Sequence, residues 1–132
     1  MQKKLQIREA MIKSGAVPRE LLHVMLGEED VEMEIRGLSA GARGRLLNEV
    51  MVDSEDGQDR RIDLGKLYPL LVLECTFDKE SGERIFSPGD FETVSELSAS
   101  VLDPIAAVAS RLSGLGDKAL KEAEKSVTAK PA

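Results

Sequence analysis

The sequence predicts a mainly α fold: a small helical domain with one short β-hairpin near the N-terminus. Two observations carry this. Of the 132 residues 42% are hydrophobic but only 3% aromatic, so the core must be built from Leu, Val, Ile, Met and Ala, which favour helix-on-helix packing. The apolar residues also change spacing at Ser39, from alternation before it to a period near that of a helix after it. The length suits one globular domain. Residues 1–116 are read as that domain and residues 117–132 as a charged C-terminal helix with a frayed end.

From Lys4 to Ser14, Leu5, Ile7, Met11 and Ile12 lie among Lys, Gln, Arg and Glu, a spacing that predicts a short, weakly amphipathic helix stopped by Gly15 and Pro18. Two apolar stretches follow, Leu21 to Leu26 and Val31 to Ile35, separated by the polar group Gly27 to Asp30. The second alternates cleanly, with Val31, Met33 and Ile35 on one side and Glu32, Glu34 and Arg36 on the other, as a half-buried strand requires. The first also fits a helix beginning at Pro18. A hairpin over Arg19 to Arg36 is preferred, because a lone strand would leave its backbone groups unpaired. Ser39 can cap a helix running to about Val52, with Ala42, Leu46, Leu47, Val50 and Met51 as its stripe.

The stretch from Asp53 to Arg61 has no apolar residue and reads as an exposed acidic loop. A central helix, apolar nearly all round, should start with Asp63 as cap and run through Leu64, Leu67, Leu70, Leu71 and Cys75, kinked or broken at Pro69. Asp78 to Arg84 is a turn with Gly82 in the left-handed position. Ser87, Pro88 and Asp90 mark a helix start, and the short helix after them buries Phe91, Val94 and Leu97. Val101, Leu102, Ile105, Val108, Ala109 and Leu112 form a strong amphipathic helix ended by Gly114 and Gly116. At Asp103-Pro104 it either kinks or restarts with Asp103 as cap.

Eighteen basic against 24 acidic residues give a net charge of −6, a field that repels polyanions, so nucleic acid is not an expected partner. The single cysteine, Cys75, excludes an intramolecular disulfide and a cysteine-cluster zinc site. His23 is the only histidine, and it lacks any pattern that would pair it with Cys75. The acidic loop fails the calcium-loop spacing, since glycine falls at the fifth position from Asp53 rather than the sixth. Gly37, Gly41 and Gly44 lack a following Gly-Lys-Ser/Thr, and no Gly-x-Ser-x-Gly elbow surrounds Ser110 or Ser113. No metal, cofactor or catalytic residue is therefore assigned. The longest fully apolar run, Leu70 to Leu73, is far short of the ~20 residues that span a bilayer, so no membrane partner is expected and the protein is read as soluble and intracellular.

Four segments resemble the small tail assembly chaperones of long-tailed, siphovirus-type bacteriophages and prophages. They are Val31-Glu-Met-Glu-Ile-Arg-Gly-Leu-Ser39, Leu70-Leu-Val-Leu-Glu-Cys-Thr-Phe-Asp78, the turn from Asp78 through Gly82 to Arg84, Ile85 and Phe86, and the closing helix from Val101 to Leu115. The resemblance implies a non-catalytic protein of the bacterial host cytoplasm that binds the tape-measure protein, keeps it soluble, recruits tail-tube subunits and is not expected in the mature virion. The competing expectations are a permanent head–tail or tail component of the virion and a small intracellular regulatory binding protein. Partner binding, or self-association, is assigned to the charged extension, where Leu115, Ala119, Leu120 and Ala123 have little of their own domain to pack against.

Overall fold

The structure is a computed structural model that describes residues 3–53, 57, 60–116, 118, 119, 121 and 124. It corrects the predicted class. The fold is mixed α/β, 53% helix and 22% strand, with five helices and two small sheets among the described residues. The extra strands are short. Helix α1 (Lys4–Ser14) precedes the hairpin of β1 (Arg19–Leu26) and β2 (Glu29–Arg36), and α2 (Ala40–Val50) follows it. Strands β3 (Met51–Asp53) and β4 (Arg60–Ile62) form one antiparallel sheet, and β5 (Thr76–Phe77) joins β2 to complete the other, in the order β1-β2-β5. Met51 and Val52, expected at the end of α2, thus belong to a strand, and Arg60 and Arg61 of the expected loop pair with Asp53 and Val52. Residues 54–56, 58 and 59 of that loop lie outside the described residues.

The hairpin forms as its alternation predicts, from Arg19↔Arg36 to Leu26↔Glu29, around the two-residue turn Gly27-Glu28. Of these two only Gly27 takes a positive φ, +66°, the pattern of a type II′ turn whose twist matches the flanking strands. Val31, Met33 and Ile35 face inward with Leu22 and Val24, and Ile35 is fully buried.

Central helix α3 (Leu64–Cys75) packs against α2, α4 (Phe91–Ser95) and α5 (Ala99–Leu112), and α5 also covers the inner face of β1 and β2. Both prolines are absorbed without a break, Pro69 inside α3 and Pro104 inside α5. Asp63 stands at the N-cap of α3, but its backbone carbonyl rather than its side chain accepts, from Lys66 and Leu67 N–H. Ser39 does cap α2, its hydroxyl accepting from Ala42 N–H at 3.1 Å. Ser87 and Asp90 satisfy each other across a single 3₁₀ turn (Pro88–Asp90) that opens α4, where Val94 is fully buried and Leu97 stays exposed.

The exit of β2 is locked to the end of α5. Gly37 N–H donates to Pro18 C=O at 2.9 Å, and Leu38 N–H donates to the buried Ser113 hydroxyl at 2.9 Å. Gly37 has no room for a side chain, since a Cβ there would lie 2.4 Å from the Leu112 carbonyl oxygen. Helix α5 itself ends in a Schellman motif: Gly114 at φ +71° donates to Arg111 C=O, and Leu115 N–H donates back to Ser110 C=O at 2.7 Å. No described helix is long and apolar enough to cross a membrane.

Candidate functional site

Of the four residues assigned to partner binding, the structure describes Leu115 and Ala119. Leu115 is 2% exposed and belongs to the core. The Schellman turn causes this, because it folds the residue after the left-handed glycine back onto the last turn of the helix. Ala119 is half-buried, while Leu120 and Ala123 lie outside the described residues. The C-terminal extension also contacts the domain, with the Glu124 carboxylate accepting from Ile62 N–H of β4 at 2.8 Å.

Cys75 is a buried core thiol, pushed up to about 12 by desolvation. His23 is exposed on the outer face of β1, where Nε2 lies 2.6 Å from Glu32 and Nδ1 3.5 Å from Asp30. Among the described residues no group of three His, Cys, Asp or Glu side chains is placed to share a metal ion.

The apolar surface left open is at the other end of the chain. Helix α1 buries none of its residues: Leu5 is 63% exposed, Met11 70%, Ile12 61% and Ile7 46%. An 11-residue helix gains little from propensity alone and falls below the ~12–15 residues at which isolated helices become even marginal in water, so packing must supply its stability. At about 100° per residue, Leu5 and Ile12 share one face and Ile7 and Met11 the opposite one. The helix is thus weakly amphipathic as expected, its apolar residues divided between two sides.

The outer face of β1 carries Leu21 and Met25, both at least half exposed, flanking His23. No helix covers this face among the described residues, since α5 lies on the inner one. A charge ladder holds its polar part in register. Glu34 pairs with Arg36 at 2.6 Å and with Arg19 at 3.7 Å, and Arg36 stacks 4.1 Å from the centre of the Phe77 ring. Lys79 hydrogen-bonds Glu32, which lowers the carboxyl below its ordinary range and raises the ammonium above its own. Such solvated pairs fix geometry more than they add stability. They leave Leu21 and Met25 as the apolar elements of a face whose carboxylates, Asp30, Glu32 and Glu34, are matched in number by Arg19, Arg36 and Lys79.

A separate cleft of about 640 Å³ opens between α3 and the end of α5, lined by Tyr68, Asp103, Ala106, Ala107, Ser110, Arg111, Leu115 and Gly116. It contains neither a histidine nor a cysteine and borders the start of the C-terminal extension.

The arrangement is a closed mixed α/β core bearing an unburied apolar helix and an open sheet face. Compared with family models, with curated proteins and with solved structures, the chain gives no significant match to any of them. Sequence reasoning named the apolar residues of α1 but did not place them in the site. The signal was present, because seven-residue and four-residue spacings put Leu5 with Ile12 and Ile7 with Met11 on faces that one small core cannot cover together.

Proposed function

We propose that this chain is a non-catalytic assembly chaperone that binds an amphipathic helical client, and that the client is the tape-measure protein of a long-tailed bacteriophage or prophage. In this reading it works in the bacterial cytoplasm, keeps the tape measure soluble, brings tail-tube subunits to it and leaves before the virion is complete. The observation that supports it is the exposure of Leu5, Ile7, Met11 and Ile12 on a helix that its own core does not hold. Apolar stripes on a long helical client would self-associate in water, and burial against these side chains removes both exposed surfaces at once. The net charge of −6 keeps such a complex dispersed.

Co-expression with the tape-measure protein encoded downstream tests this. The wild-type chain is expected to move the tape measure from the pellet to the soluble fraction, and the Leu5→Ser/Ile12→Ser variant to lose most of that effect while staying folded. Equal soluble yields with and without the chain would overturn the reading. Finding the chain in purified virions would favour a permanent structural component instead.

A further inference from the structure

We infer that two copies of this chain join edge to edge through β1, antiparallel and about a twofold axis at His23, so that their two sheets become one. The pairing goes beyond the proposed function and uses neither α1 nor a client.

Its basis is an open strand edge. In the order β1-β2-β5 the two margins of the sheet are β1 and β5, and they are finished differently. Strand β5 is two residues long, and its outer side is closed by the bridge from Phe77 to Arg84, so it offers no template for another strand. Strand β1 is eight residues long and pairs with β2 in unbroken register. It holds neither a proline nor a lysine, the usual guards of an edge, and its only charges, Arg19 and Glu20, stand at its start.

The phase of the ladder shows which backbone groups are open. The two-residue turn makes Leu26↔Glu29 a hydrogen-bonded pair, and alternate pairs follow it down to the Gly37 N–H bond to Pro18 C=O. The even-numbered residues of β1 therefore exchange their bonds with β2, while N–H and C=O of Leu21, His23 and Met25 point away from it. Among the described residues no strand, turn or loop backbone bonds to them.

Symmetry selects a second copy over an unrelated strand. Leu21-Leu22-His23-Val24-Met25 reads the same in both directions, two apolar residues on each side of a histidine, which a twofold antiparallel pairing requires and a one-sided peptide site does not. Centred on His23, the outward-bonding residues meet only one another, Leu21 opposite Met25 and His23 opposite His23, closing about six hydrogen bonds between the copies. The same register sets Leu22 against Val24 on the inner face, where both already pack on the core. Arg19 and Glu20 fall opposite Gly27 and Leu26, and each His23 is held by its own Glu32 at 2.6 Å. The neighbouring registers that keep both faces, two residues away on either side, set His23 against Leu21 or Met25 and lose the apolar match.

Sedimentation equilibrium of the full chain across about 1–500 µM, a range that brackets a micromolar interface, should show the mass rising from one chain to two. Amide exchange should find Leu21, His23 and Met25 N–H open in dilute protein, beside protected Leu22 and Val24, and protected once the copies pair. Leu21→Lys/Met25→Lys sets lysine against lysine and should weaken pairing by about tenfold or more, whereas Leu21→Lys/Met25→Glu sets each lysine against a glutamate and should return it to within about threefold of wild type. Both side chains are exposed, so an unchanged urea midpoint in dilute solution confirms that the variants fold. A chain that stays monomeric throughout, a dimer that leaves the three outward amides open, or a dimer that treats the two double variants alike would overturn the inference.

Discussion

Leu71→Ala is expected to cost about 3–4 kcal/mol, the upper part of the range for emptying a sealed leucine site. Leu71 is fully buried in α3, among Leu67, Val72 and Leu73 of the same helix and the residues that α2, α4 and α5 pack against it. The core cluster it belongs to is drawn from helices and strands held in regular structure, which closes poorly over a void. A loss of that size is a large share of the ~5–15 kcal/mol that typically separates folded from unfolded domains. Urea unfolding followed by circular dichroism should show the midpoint falling sharply with little change in slope. Leu5→Ala, which removes the same atoms from a side chain 63% exposed, should move the midpoint hardly at all at protein concentrations where the chain is monomeric.

Gly37→Ala is expected to cost about 2–3 kcal/mol although it adds only one methyl group, at the high end for overpacking. The added carbon would lie 2.4 Å from the Leu112 carbonyl oxygen and 2.8 Å from its carbonyl carbon, both backbone atoms that no rotamer change can move. Relief requires β2 and α5 to separate, which stretches the Leu38 N–H bond to the Ser113 hydroxyl. Gly44→Ala is the control. A Cβ at that position meets nothing within 4 Å, and Gly44 lies inside α2, so this variant should gain up to about 1 kcal/mol from helix propensity. Opposite signs from the same chemical change in the same urea experiment would establish that the β2–α5 joint, not glycine content, sets the stability.

The long elements were legible in the sequence because each repeated its period often enough to be read. Val31, Met33 and Ile35 alternate through β2, Leu102, Ile105 and Ala109 keep helical spacing through α5, and the apolar run of α3 admits no position but the centre. The strands that changed the class are two or three residues long. Over such lengths alternation carries no period, and what makes Met51 or Thr76 a strand residue is its partner, Ile62 or Ile35, not its neighbours in the chain. Leu115 was misplaced for a different reason. Gly114 was read as a stop, but a left-handed glycine also turns the chain, and the apolar residue after it returns to the helix it has just left. At the N-terminus the spacing of Leu5, Ile7, Met11 and Ile12 predicts only a weakly amphipathic helix, and their angular positions divide them between two sides, neither of which reaches the core.

In the proposed function α1 depends on another chain for its cover. Amide hydrogen exchange resolved to residues 4–14, at a series of protein concentrations and with a soluble tape-measure segment added, measures this directly. In dilute solution the α1 amides should exchange nearly as fast as an unfolded peptide while those of α3 and α5 remain protected. Protection of α1 should then appear at fixed low concentration when the client is supplied. Protection of α1 at the lowest concentration, unchanged by the client, would show that the helix is held within its own chain and would contradict the account.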